Sequence, residues 1–509
     1  MLAGLLGLCV AQPQVSTLRI RLDGDIRSMD PGINRDANSD LLVMHILEGL
    51  VAYREDTTVG PLLATSVDVS ADGRIYTFRL RRGIRFHNGA TLTAADVVLS
   101  WTRYMNPRSN WRCLGEFDGR NGNKVVSVTA PDPETVVFTL NKPFALFLTM
   151  LARTDCGGTG IYHRDSISPD GKWREPIGTG PFRLGAWKRG QYIDLVRNDE
   201  YAALPGKRDG YTGNKTPEVA RVRFIVIPDF AASKAALLSG SIDLLYDIDT
   251  EDYAEFRQRK DIQVTTSSTM NLSGILLQSR RWPLSDVRFR RALALSLDLP
   301  LLVNTVTSGM SKASRSAIPS SSSYYTPVQA NMPVRDVAQA RRLLDEAGYK
   351  GETVRLLTTM RYQNLFEIAV LTQAMALEAG IRLEIEVHDW ATLLDEYNRQ
   401  NYDAMAFSYS SRVDPSLSYG MFVGGPDERN SRVWNDPYAQ GLVANSMLTQ
   451  DRSQRQAIFD ELDTRLRLEV PAIFMYSSKK IAASRASVTG YAGWPLGQPR
   501  AWGVSLRSP

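Results

Sequence analysis

Apolar and polar residues alternate through Leu18-Arg19-Ile20-Arg21-Leu22, the period-two pattern of a strand with one buried face. Tyr76, Phe78 and Leu80 repeat that pattern, and so do Val136, Phe138 and Leu140. Between such stretches the period lengthens. Thr93-Ala94-Ala95-Asp96 opens a helix, because the Thr hydroxyl caps a free N–H and Asp96 suits the positive dipole end. Val97, Val98 and Trp101 then follow at helical spacing.

Val222, Phe224 and Val226 predict a strand ending at Pro228-Asp229, Phe230 to Ser239 a helix stopped by Gly240, and Ile242 to Ile248 the next strand. Strand, helix and strand in that order are the unit of a parallel sheet. The same grammar returns later. Asp336 caps a helix that carries Ala340, Leu343 and Leu344 and ends at Gly348. Val354 to Leu357 is a short strand, Leu365 to Glu378 a helix stopped by Gly380, and Ile381, Leu383, Ile385 and Val387 alternate in a further strand. The class is α/β, with antiparallel β near residues 60–140 and no detectable internal repeat. Thr265 to Asn271, polar and extended, is the expected passage between two bodies, while Ser320-Ser321-Ser322-Ser323 runs straight into Tyr324 and Tyr325 as an ordered surface loop.

At 509 residues the chain exceeds one ordinary core, so two or three lobes are expected. Hydrophobic residues at 43% against charged residues at 23% give the balance of a globular protein. The formal charge of +5 is spread thinly. Pairs such as Arg81-Arg82 and Arg341-Arg342 never grow into a basic block, so nucleic acid is not an expected partner. At the start, the apolar run Leu2 to Val10 leads into Cys9-Val10-Ala11 and polar Gln12-Pro13-Gln14, which reads as the remnant of an export signal over residues 1–11, cleaved after Ala11. Leu8 before Cys9 does not fit a lipoprotein signal. Export to the periplasm is therefore expected. Cys113 and Cys156 then remain, either as one disulfide or as two separate buried thiols.

Motifs for chemistry are missing. His45, His87, His163 and His388 are far apart and never pair on one helix face, as metal ligands would. Gly178-Thr179-Gly180 lacks the third glycine of a dinucleotide loop, and Ser477 with Lys480 stands without the companion motifs of a serine acyltransferase. No cofactor is expected. A secreted hydrolase is the rival class, and no specific motif supports it.

Several segments in order resemble the bacterial extracellular solute-binding family 5, the oligopeptide- and dipeptide-binding receptors. They are Asp25 to Pro31, Leu47-Glu48-Gly49-Leu50, Pro61-Leu62-Leu63-Ala64, Ser70-Ala71-Asp72-Gly73, and Gly83 to Gly89 running into Thr93 to Val97. Gly178-Thr179-Gly180-Pro181-Phe182 and Asp286 to Leu293 complete the series. The resemblance implies a two-lobed periplasmic-binding-protein-like fold of cluster C. Residues 16–50, 165–268 and 478–509 would form lobe I, residues 51–164 an inserted domain and residues 269–477 lobe II. It also implies a monomeric, non-enzymatic receptor that closes on a small peptide-like solute and hands it to ABC transporter permease subunits.

By the same resemblance Arg361, in Thr358-Thr359-Met360-Arg361-Tyr362, stands where relatives grip a ligand carboxylate. Ser411 stands where they hold the ligand amine with an Asp, and Arg412 follows it. A neutral hydroxyl there leaves room for an anionic non-peptide, such as an opine, a modified sugar or a sugar phosphate. Asp414, Tyr409, Tyr419, Asn34, Arg35, Met270 and Asn271 complete the expected ligand-binding set.

Overall fold

The computed structural model describes residues 16–33, 36–425 and 432–507. The export signal expected over residues 1–11, and the candidates Asn34 and Arg35, lie outside them. The chain forms two α/β lobes, each built on its own sheet. The first sheet runs in the order Ile262–Ser268, Lys479–Arg485, Leu244–Leu245, Thr17–Leu22, Arg221–Val226, Tyr192–Arg197 and Phe182–Lys188. Its centre is the strand-helix-strand unit read from the sequence: Arg221–Val226 and Leu244–Leu245 both pair parallel to Thr17–Leu22, and Gly240 ends the intervening helix at φ 78°. The second sheet runs Leu383–Val387, Val354–Thr358, Ala404–Tyr409, Leu272–Leu277 and Ala472–Tyr476. A four-stranded antiparallel sheet, Ala64–Val69, Ile75–Leu80, Thr135–Leu140 and Val125–Asp132, packs its buried face of Tyr76, Phe78 and Phe138 into the first lobe's core. Beside it Cys113 and Cys156 are joined in a disulfide, with Cα atoms 5.8 Å apart.

The chain crosses between the lobes at two adjacent points. Ile262–Ser268 leaves the first sheet and resumes as Leu272–Leu277 in the second, whereas Ala472–Tyr476 returns to the first as Lys479–Arg485. The strand before the first crossing continues to Ser268, so the passage is shorter than the expected Thr265 to Asn271: the ladder to Lys479–Arg485 holds residues 265–268 in the sheet. At the crossing Asn271 Oδ1 accepts the Ser478 N–H at 2.7 Å and its hydroxyl at 3.0 Å, and Thr269 Oγ1 donates to the Ser478 carbonyl at 2.9 Å. Side chains thus tie the two crossings into one joint.

Several sequence hallmarks hold the fold. A Cβ on Gly178 would run into the Ile46 carbonyl oxygen, and one on Gly180 would meet the His45 carbonyl at 2.6 Å, so glycine lets this loop lie against the end of the Ala37–Ile46 helix. Glu48 and Lys215, each about 1% exposed, form an ion pair at 2.7 Å, and Thr179 and Tyr201 donate hydroxyl hydrogen bonds to the same carboxylate. His45 is fully buried with both ring nitrogens engaged, by the Leu41 carbonyl and the Ala501 N–H. Asp286 caps its helix, and Arg290 of that helix is buried and donates to the carbonyls of Leu284, Glu469 and Val470. Among the described residues no helix is long and apolar enough to cross a membrane.

Candidate functional site

Strand direction builds the site. Val354–Thr358 runs parallel to both Leu383–Val387 and Ala404–Tyr409, so all three end at one edge of the second sheet. Leu272–Leu277 is antiparallel to Ala404–Tyr409 and begins at that edge, with Leu272 opposite Tyr409; Ala472–Tyr476 ends there too. Loops leaving the carboxyl ends of such strands are the usual walls of a binding crevice. On the first lobe, Lys479–Arg485 starts at the facing edge, and the chain after Leu244–Leu245 reaches it through an Ile248 N–H to Ile481 carbonyl bond of 3.0 Å.

Between these edges lies a cleft of about 870 Å³. The second lobe lines it with Asn271, Arg361, Tyr362, Asn364, Trp390 and Ser408 to Ser410, and the first with Asp249, Thr250, Ser478, Lys479 and Lys480. The Tyr362 ring meets Trp390 edge-on at 4.9 Å, Trp390 stacks on Phe407 at 6.1 Å, and Phe407 meets Tyr409 at 5.2 Å. A row of aromatic faces thus stiffens the wall that carries Arg361. Arg361 itself is exposed, its guanidinium 5.8 Å from the Tyr362 ring centroid, and among the described residues no carboxylate pairs with it. It immediately precedes the Gln363–Glu378 helix, whose N-cap residue Tyr362 supplies no side-chain hydrogen bond. The first residues of that helix, Gln363 to Leu365, line the same cleft as Arg361, so its positive dipole end lies beside the guanidinium. Asn364 donates to the Tyr476 hydroxyl at 3.1 Å, and burial pushes that phenol up in pKa, so it stays neutral.

Of the expected ligand-binding residues, the cleft brings together Arg361, Tyr409 and Asn271. Others are placed elsewhere. Tyr419 is 0% exposed and packs in the second lobe's core, its hydroxyl donating to Asp463 at 3.4 Å. Asp414 caps its helix at Ser416 and forms a buried ion pair with Arg455 at 2.8 Å, so its charge is spent on structure. Met270 is buried at 1% exposure. Ser411 accepts the Met270 N–H at 3.3 Å and so fastens the crossing, and Arg412 donates back to Ser410 and Ser411 of its own loop rather than lining the cleft. None of these five lines the cleft: the Pro415–Tyr419 helix turns Asp414 and Tyr419 inward, where Arg455 from a distant helix meets Asp414, and Met270 and Ser411 meet at the crossing. Asp249, Lys479 and Lys480 escape a sequence reading because they reach the cleft from segments far apart in the chain. The exposed position of Asp249 at a helix start is the available signal.

The model of the bacterial extracellular solute-binding proteins, family 5 Middle, matches residues 58–430. The chain is 24% identical to the glutathione-binding protein GsiB of Pectobacterium atrosepticum, over 96% of this chain and 94% of the relative. Among solved structures it is similar to the periplasmic murein tripeptide binding protein MppA in its unliganded open form, with a TM-score of 0.83 and 22% identity over 97% of this chain and 98% of the other. It is also similar to the binding protein AgaA in complex with agropinic acid, from A. tumefacien R10, with a TM-score of 0.69 and 25% identity over 97% and 99% of the two chains.

Proposed function

Because the chain belongs to the bacterial extracellular solute-binding proteins, family 5, we propose that it is an exported, non-enzymatic receptor of an ABC importer, holding a peptide or peptide-like solute between its lobes. The observation that carries this reading is the Arg361 guanidinium, which no carboxylate pairs among the described residues, set before a helix start without a side-chain cap in a cleft of about 870 Å³ at a two-strand joint. A guanidinium stays charged when desolvated and offers two parallel donors to a carboxylate, and the neighbouring amides add their dipole. The aromatic row of Tyr362, Trp390 and Tyr409 suits apolar parts of the same solute. Docking of the closed form on permease subunits would follow from lobe closure. Among the described residues the cleft lacks a nucleophile held by a base: its hydroxyls are Thr, Ser and Tyr, and no histidine lines it.

The test is a thermal-shift screen of small peptides, glutathione and anionic sugars, followed by calorimetry on the wild type and Arg361→Ala. Loss of two charge-assisted hydrogen bonds in a closed cleft should weaken binding by about 2–4 kcal/mol, roughly 30- to 1,000-fold. Unchanged affinity would remove Arg361 from the site, and turnover of any bound peptide or ester would overturn the receptor reading.

A further inference from the structure

We propose that the solute is a zwitterion whose ammonium group is taken by Asp249 of the first lobe while Arg361 of the second takes its carboxylate. The inference rests on the cleft being the receptor's binding site and adds the other half of the grip. Ser411, on the second lobe, cannot neutralise an ammonium, and its hydroxyl already accepts the Met270 N–H. The cation therefore needs an acid from another segment, and Asp249 lines the cleft from the facing lobe.

Three observations single out Asp249. It occupies the N-cap position of the Thr250–Gln258 helix yet gives that helix no side-chain hydrogen bond, whereas Asp229 and Asp389 at equivalent positions accept N–H groups of theirs. Among the described residues no cation stands within ion-pair distance of it. Two lysines share its wall: Lys480 is held by Asp247 at 2.6 Å, and Lys479 makes no ion pair with Asp249. The carboxylate is thus exposed and uncommitted on one wall, as the Arg361 guanidinium is on the other.

Closure supplies the physical reason for this division. A solute shifts an open–closed equilibrium only through its greater affinity for the closed state. Two charges gripped from one lobe favour closure only through the water they lose, with no bond across the cleft. A carboxylate on Arg361 and an ammonium on Asp249 tie the lobes together, and both pairs strengthen as water leaves the cleft. The competing acid in the cleft, Glu367, lies on the helix that follows Arg361 and accepts a hydrogen bond from Gln363 at 3.2 Å, so it belongs to the same wall as the guanidinium.

The experiment compares three matched probe sets, built on alanyl-alanine, trialanine and glutathione. Each set has the parent zwitterion, its N-acetyl derivative and its amide, titrated by calorimetry into the wild type, Asp249→Asn, Glu367→Gln and Arg361→Ala. At least one parent should bind the wild type, and N-acetylation should weaken it about 30-fold or more, the loss expected for a desolvated charge pair. Asp249→Asn should shrink that discrimination to about threefold, within the range of a neutral hydrogen bond. Glu367→Gln should keep it. Asp249 is exposed, so the variant's melting temperature should match the wild type and exclude a folding defect. Discrimination that survives Asp249→Asn, or vanishes in Glu367→Gln instead, overturns the proposal. So does a wild type that binds no parent zwitterion, or one that binds N-acetyl and free forms alike. In those cases the receptor reading stands or falls separately, on whether Arg361→Ala weakens binding of any solute found in the wider screen.

Discussion

Replacing Asn271 by Ala should loosen the joint between the lobes at one identifiable amide. Asn271 Oδ1 is the acceptor for the Ser478 N–H at 2.7 Å and the Ser478 hydroxyl at 3.0 Å, and the Thr269 hydroxyl lies 2.5 Å from it. The two hydroxyls keep a partner after the substitution, since Thr269 Oγ1 also donates to the Ser478 carbonyl and lies 3.3 Å from the Ser478 hydroxyl. The Ser478 N–H does not. It is half-buried, so water satisfies it in part, and the net loss is one good hydrogen bond plus a partly desolvated donor, about 1–2 kcal/mol. In a 509-residue protein, with about 2.1 cal/mol/K of unfolding entropy per residue, that lowers the melting temperature by only about 1–2 °C. Hydrogen exchange followed by mass spectrometry gives the sharper reading. If the bond limits local opening, the Ser478 amide should exchange about 5- to 30-fold faster, the same free energy expressed as an equilibrium constant. Amides in the middle of Ala472–Tyr476 should be unaffected. An unchanged exchange rate at Ser478 would refute the assignment of Asn271 as the tie between the crossings.

Other consequences are equally direct. Lys215→Met leaves the Glu48 carboxylate buried with the neutral donors Thr179 and Tyr201, and should cost about 3–5 kcal/mol in chemical denaturation, most of it recovered in the double variant with Glu48→Gln; no loss in the single variant contradicts the network. Burial pushes His45 down to about 4 from an ordinary value near 6.5, so the unfolded chain binds the extra proton. Stability from this group is complete above about pH 6.5 and is lost as pH falls toward 4, by up to about 3 kcal/mol, and His45→Gln should flatten that part of the profile. The Cys113–Cys156 disulfide closes a separation of 43 residues, so the double Ser variant should lose roughly 4 kcal/mol by the loop-entropy estimate, read as a lower denaturation midpoint.

The alternations at Leu18 to Leu22, Val222 to Val226 and Leu383 to Val387 are legible because each strand buries one face, and the helix ends at Gly240 and Gly348 because both glycines hold positive φ. Arg361 is expected from the family resemblance, and it lines the cleft. What fails to show is direction. Asp414 and Tyr419 flank a Pro that starts a short helix, and sequence does not say whether that helix turns toward the cleft or the core; Arg455, 41 residues further on, decides it by pairing with Asp414. Lys215 and Glu48 meet over a still longer separation, so neither position announces a buried charge. Asp249 and Lys479 belong to one wall only because two strands far apart in the chain lie in one sheet. Periodicity reports burial of a face; it does not report which distant face lies opposite.

A solute that ties the two lobes together must draw them inward, and small-angle X-ray scattering measures that directly. With the tightest solute from the screen at saturation, the wild type should show a smaller radius of gyration than the free protein, and Arg361→Ala at the same solute concentration should not. An identical radius for free and saturated wild type would contradict closure around the solute, and with it the role of the cleft as the place where a solute is held.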